Sequence, residues 1–244
     1  MNDNELKAWM KPYQDKITKF VIPCDTEVIE QSDIKPIALP VENNIDKIHP
    51  ENQLLAYACY LHQDATITEL YEIANMPLST GNKRKMEAMK DGLVGEFSTV
   101  IKAGRGGTAK FLFLTKKGHE TLHLIERIKA RGGAEHNHWL LIIQQFYNKL
   151  GYEVEIEKHI QKFNGFIDIL AEKDNEKIVI EVCIQKQNIQ EIIEKLNSDS
   201  FSRRILCFQT ERQAQFQKEF LSRELPEMAI EGFEFKPLYE FYRR

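Results

Sequence analysis

Apolar residues along positions 51–131 recur first at helical spacing and then in alternation, which predicts three helices ahead of a hairpin. The first helix covers about 51–61. The second begins at Thr66, whose hydroxyl can cap it, with Glu69 completing a capping box three residues on, and Pro77 stops it. A third helix, capped by Ser79 or Thr80, runs to about Asp91, where Gly92 ends it. Segments 93–101 and 110–114 then alternate as strands. They are joined by Ala103-Gly104-Arg105-Gly106-Gly107, whose glycines permit the positive φ of a tight turn. A further helix starts near Lys117. Residues 1–50 are broken by prolines and hold one compact apolar piece, 37–41, so they read as an N-terminal arm or a few short strands.

The pattern changes after residue 132. A helix at 135–150 precedes a strand at 152–160. Two strongly apolar strands, 165–171 and 177–185, flank the turn dipeptide Asp174-Asn175. Asn188 caps a helix at 189–196. A strand at 204–208, a polar helix at 211–221 and further strand material within 233–242 follow. The order α-β-β-β-α-β-α-β predicts a mixed sheet with helices on both faces. The fold class is therefore α/β, or α+β with the helical first half included. Three segments are expected: 1–50, 51–131 and 132–244.

Composition narrows the class. With 42% hydrophobic and 29% charged residues in 244, the chain is that of a folded globular protein rather than a disordered one. No apolar run is long enough to cross a bilayer, and the N-terminus lacks a secretion signal, so no membrane partner and a cytoplasmic location are expected. Cys24, Cys59, Cys183 and Cys207 form no CxxC pair, which favours buried, reduced thiols over structural zinc. The net charge of −4 argues against a protein coated by nucleic acid, but its distribution does not. Residues 80–132 carry twelve basic side chains against five acidic ones, a net of +7, so the remainder carries −11. One face that meets polyanions fits that asymmetry, as does a solvated surface.

Two carboxylates interrupt strands that otherwise read as buried. Asp168 lies within GFIDILAE and Glu181 within KIVIEVCIQ. An ionised carboxylate in such surroundings is costly unless paired or metal-bound. Adjacent antiparallel strands would bring the two together. Glu135 shares a helical stripe with Trp139, Ile142, Phe146 and Leu150, so it is expected to point toward the sheet. Three such carboxylates suit a hard cation such as Mg²⁺ or Mn²⁺, which would acidify a bound water and stabilise charge on a phosphate. The alternative for each is a strand-edge or helix-end carboxylate that reaches water.

The stretch GRGGTAKFLFLTKKGHETL after three helices resembles the wing and following helix of winged helix-turn-helix DNA-binding proteins. That resemblance implies that the third helix enters the major groove and the wing lies along the backbone. Asn82, Lys83, Arg84 and Lys85 on the helix and Arg105 at the wing tip would then contact DNA; winged helices also serve in dimerisation and protein docking. From Gly132 to Thr210 the chain resembles the restriction-endonuclease-like, PD-(D/E)XK, superfamily. The likeness is to its Holliday-junction-resolvase-type and mobile-element branches, and GGAEHNHW with IDIL and IEV is similar to domains of conjugation-associated proteins. The resemblance implies that Asp168 and Glu181 hold the metal with help from the Val182 carbonyl, and that Glu135 is the auxiliary helix carboxylate. It also expects a lysine two residues after the glutamate, where this chain has Cys183. Gln185 shares the parity of Glu181 and could orient water, Lys186 falls on the other face, and Lys195 on the next helix could supply the missing charge. The expected activity is metal-dependent endonucleolytic cleavage of double-stranded or branched DNA of a mobile element or plasmid. The alternative is a non-catalytic DNA-binding regulator or assembly factor. A homodimer is expected from how both modules act on two-fold DNA.

Other signals are weaker. His119–His123 reads HETLH and matches the zinc-protease HExxH, but the apolar face through Leu122 and Ile125 leaves both histidines at its edge. His136 and His138 are two apart and do not share a helical face; His136 is expected as a capping or surface residue, the alternative being that it approaches the metal or DNA. Cys183 has no histidine placed to activate it. Phe233, Phe235, Tyr239, Phe241 and Tyr242 are expected in sheet packing or a dimer surface.

Overall fold

The computed structural model describes residues 48–125, 131–184, 188–197 and 199–242. All lie in one compact unit, Asn43–Arg244. Of the expected N-terminal arm, 1–50, residues 1–47 fall outside the described residues, while His49 caps the first helix and Pro50 opens it.

The first half holds α1 (Pro50–Leu61), α2 (Ile67–Ile73), α3 (Leu78–Lys90), β1 (Val94–Val100), β2 (Thr108–Leu114) and α4 (Lys116–Thr121). The Thr66–Glu69 capping box forms as expected, with both reciprocal bonds present. Two boundaries differ. α2 stops at Ile73, ahead of Pro77, because Asn75 takes φ 53 and turns the chain. α3 begins at Leu78 directly after Pro77 with no side-chain cap, so neither Ser79 nor Thr80 serves. The antiparallel β1–β2 hairpin pairs Val94 with Leu114 through to Val100 with Thr108, and Gly104 and Gly106 take φ 86 and 71 in its turn. Leu55, Leu70, Tyr71, Leu93 and Leu112 form the core of this half.

The second half holds α5 (Ala134–Lys149), β3 (Glu153–Ile160), β4 (Gly165–Lys173), β5 (Glu176–Cys183), α6 (Ile189–Asn197), β6 (Arg203–Phe208), α7 (Glu211–Glu224), a short α8 (Glu227–Ile230) and β7 (Phe233–Pro237). The five strands lie in sequence order; β3, β4 and β5 are antiparallel, while β5–β6 and β6–β7 are parallel. Mixed α/β architecture is thus present, with helices on both faces. Trp139, Ile143 and Tyr147 of α5 cover one face over Ile169, Ile180 and Ile205, and Ile193, Leu196, Ala214 and Leu221 of α6 and α7 cover the other over Leu170, Val179 and Leu206. β5 is central, and every residue from Ile178 to Cys183 is buried, as a strand covered on both faces must be.

The two halves share a core. Phe111 of β2 is fully buried in the cluster around Trp139, and the Trp139 indole N–H donates to Thr99 Oγ1 of β1 at 3.0 Å. Satisfying the indole donor inside the core lets a large aromatic be buried without an orphaned polar group. The hairpin is thereby fastened to the helix that begins the second half.

Candidate active site

The β4–β5 ladder runs from Lys173 opposite Glu176 to Ile169 opposite Ile180. The next pair in register is Asp168 and Glu181, and here the strands part. The Val182 N–H donates to Asp168 Oδ2 at 2.7 Å, so a carboxylate oxygen takes the place of a ladder carbonyl. The same oxygen lies 3.2 Å from His136 Nε2 on the first turn of α5. Burial alone would lower the His136 pKa, but the bond to Asp168 and its charge more than offset this and hold it above the ordinary value. The surface or capping role expected for His136 is therefore corrected: its side chain is only 13% exposed and sits on Asp168. The signal is absent from local sequence, because the partner lies 32 residues away. Gly132 allows the placement, since a Cβ there would lie 2.2 Å from His136 Nδ1.

Glu181 is 8% exposed in its side chain, and burial first, then the Asp168 charge, push its carboxyl up to about 8. The opposing influence is Lys195 on α6, whose Nζ lies 3.3 Å from Glu181 Oε1 and also donates to the Phe166 carbonyl. Cys183, where a lysine was expected, is buried against the α6 side, and burial holds its thiol well above the ordinary value. Lys195, expected on the helix after the strand, thus lies against the Glu181 carboxylate. Gln185 and Lys186 lie outside the described residues.

Glu135 is not drawn into the pair. Its Oε1 accepts from Gln209 Nε2 at 2.8 Å, at the end of β6, although both Glu135 and Asp168 line the same cleft. Among the described residues, no group of three His, Cys, Asp or Glu side chains is arranged to hold a metal ion. The chemistry of the Asp168–Glu181 pair nonetheless fits a hard cation. Burial and the Asp168 charge both disfavour the ionised form of Glu181, a cost that a cation bound between the two carboxylates would offset. Mg²⁺ is commonly held by one or two carboxylates, with water and phosphate completing its shell.

The expected DNA contacts divide in two. Arg84 is committed to Glu51 and Glu87 at 2.5 and 2.8 Å, and Lys85 to Glu96 at 2.5 Å; both are 14% exposed. Asn82 Oδ1 accepts from the Tyr71 hydroxyl at 3.2 Å. Lys83 and Arg105 are exposed. Ser79, Asn82, Lys83, Met86 and Lys90 make up the outer, exposed face of α3. Glu87 lies one helical turn from Arg84, but Glu51 and Glu96 belong to other elements, where helical spacing does not reveal them.

α4 ends at Thr121 and His123 takes φ 53, so HETLH does not lie on one helix. His119 instead lines a second cavity of about 90 Å³ with Cys59, Asn137 and His138. Among the described residues, the buried His119 Nδ1, Asn137 Oδ1 and His138 Nε2 have no hydrogen-bond partner. His138 Nδ1 lies 3.0 Å from the Gln63 carbonyl, and burial lowers its pKa to about 4. Cys59, Cys183 and Cys207 are free and buried. Among the described residues no helix is long and apolar enough to cross a membrane. No protein-family model matches the chain, and no curated protein matches it.

Proposed function

We propose that this chain is a DNA-binding protein carrying a divalent-cation-dependent phosphodiester hydrolase site, with a winged helix ahead of a restriction-endonuclease-like sheet. The observation that carries this is the pairing of Asp168 and Glu181 where β4 and β5 part, with Lys195 set against Glu181. The order of three helices, hairpin and helix supports the winged-helix assignment, and the β3–β7 sheet with α5 and α6 on opposite faces supports the nuclease-like one.

Asp168 and Glu181 would hold Mg²⁺ or Mn²⁺, which when bound acidifies a water and offsets phosphate charge. The Val182 N–H and His136 fix the orientation of Asp168. Lys195 favours the ionised form of Glu181 and brings a positive charge beside it. Glu135, turned toward Gln209, is a residue of the cleft wall rather than a third ligand. On the binding side, the outer face of α3 and Arg105 at the hairpin tip are the DNA-facing groups.

The test is cleavage of supercoiled, linear and branched DNA with Mg²⁺ or Mn²⁺. Cleavage that Asp168→Asn abolishes supports the hydrolase. A protein that binds DNA but cleaves none with either ion is instead a non-catalytic DNA-binding protein, a reading that the buried Cys183 at the lysine position favours.

A further inference from the structure

The cleft that Asp168 opens into is larger than a phosphate or a metal ion requires. It has a volume of about 650 Å³, within the range of pockets that hold whole small molecules. Its walls come from both halves of the molecule. The hairpin contributes Glu96, Phe97 and Phe113, the start of α5 contributes Gly132 to His136, and the sheet contributes Glu157, Phe166 and Asp168.

Three features give this space a chemical character. First, it has π surfaces from two elements, the hairpin and the sheet. Phe97 and Phe113 lie 6.3 Å apart on the hairpin side, while Phe166, 36% exposed, carries the Arg131 guanidinium 3.8 Å above its ring on the other. Aromatic rings and guanidinium planes are the surfaces on which unstacked bases settle. Second, besides Arg131 and His136, the charged side chains of the lining are carboxylates, which accept hydrogen bonds. Glu96 is engaged by Lys85 and Lys110, but Glu135 accepts from Gln209 and Glu157 from the Arg131 N–H through one oxygen each, and a carboxylate has about four lone-pair sites to offer. Third, Glu157 is held at φ 50 in the middle of β3, between the paired residues Ile156 and Lys158, and its Oε1 accepts the Arg131 N–H at 2.5 Å. A non-glycine residue is disfavoured in that region, and the surroundings hold it there with its carboxylate in the cleft wall.

We infer that the cleft receives one unpaired nucleotide, stacked on the Arg131–Phe166 ledge, with its base amino group directed to the carboxylates and its phosphate beside Asp168. The occupant is a base of a single-stranded or branched DNA, because a base still inside a duplex cannot enter such a space without leaving the stack. Adenine, cytosine and guanine present an exocyclic amino donor to a carboxylate, whereas an unpaired thymine offers only its N3–H, so the pocket discriminates least against the first three. This inference rests on the proposed DNA-binding function and adds the substrate class to it.

The test uses DNA carrying 2-aminopurine, whose fluorescence reports stacking, at an unpaired position of a flap or at a paired position of a duplex. It is run in EDTA so that no cleavage occurs. The expected result is a change in fluorescence for the flap and none for the duplex. Phe166→Leu, at a partly exposed position, should weaken flap binding about tenfold, with Arg131→Ala as a second variant. Equal signals from flap and duplex, or unchanged flap signals in both variants, overturn the inference. If the flap signal is present but wild-type protein cleaves nothing with Mg²⁺ or Mn²⁺, the hydrolase falls and the nucleotide pocket stands. Cleavage of continuous duplex without a flap signal gives the reverse. A protein that binds neither DNA overturns both.

Discussion

The ammonium of Lys195 lies 3.3 Å from the carboxylate of Glu181, across 14 residues of sequence and from a different element. On the proposed function, Lys195 would stand in for a strand lysine by approaching that carboxylate from α6. Lys195→Met should therefore lower cleavage about 100-fold or more, in the range seen when one preorganised charge is removed from a hydrolytic site. Lys195→Arg should restore part of the loss. Single-turnover rates at saturating DNA separate this from weakened binding, and unchanged rates in Lys195→Met would remove the residue from the chemistry.

Glu181 also ties stability to pH. Its carboxyl is held near 8 in the folded chain, above the ordinary carboxylate value in the unfolded one, so the folded state binds the extra proton between those limits. The stability this contributes is complete below the unfolded pKa and is lost as pH rises through about 8. In EDTA, the thermal midpoint should fall between pH 6 and 9. Glu181→Gln should flatten that slope, and Mg²⁺ should oppose it for the wild-type protein alone. A wild-type slope unchanged by Glu181→Gln would place the titrating group elsewhere.

His138 works at the other end of the scale. Burial holds its pKa near 4, below the unfolded value, so its contribution is present above the unfolded pKa and is lost as pH falls through about 4. Denaturant titrations between pH 7 and 4 should show that loss, and His138→Gln, which takes up no proton in this range, should remove the part due to His138.

The basic face should separate into two kinds of residue. Lys83→Glu and Arg105→Glu, at exposed positions, should weaken DNA binding and shallow its salt dependence by about one unit each in log–log slope. Lys85→Ala should act on stability instead, because its ammonium is already given to Glu96 at 2.5 Å. Binding measured across a salt series, alongside thermal midpoints, distinguishes the two. Equal salt slopes in all three variants would contradict the division.

Trp139→Phe removes the indole N–H and leaves the Thr99 hydroxyl buried without that donor. The expected cost is about 1–3 kcal/mol, read from urea unfolding at constant m-value. Both halves should unfold in one transition, since the hairpin and the sheet share the cluster around this residue.

Much of this arrangement is written in local pattern. The apolar runs around Asp168 and Glu181 place both on neighbouring strands, and Asp174, at φ 52, makes the turn that sets them in register. The Thr66–Glu69 box and the glycine-rich hairpin turn depend on neighbours within a few positions and are legible for that reason. The rest depends on distant pairings. Glu135 carries the helical stripe of a core-facing residue, yet Gln209, 74 positions on, holds its carboxylate away from Asp168. Arg84 and Lys85 look like free cations until Glu51 and Glu96 are brought beside them by packing. His136 gives no sign in sequence of its bond to Asp168, because a histidine in the first turn of a helix is equally suited to capping.

The bond between Trp139 and Thr99 has a consequence for measurement along DNA. It welds the hairpin to the helix whose first turn carries His136 to Asp168. A protein built this way behaves as a fixed gauge. On the proposed function, the point of cleavage falls at a constant offset from the footprint of the hairpin tip, and the offset is set by the shared core rather than by a flexible tether.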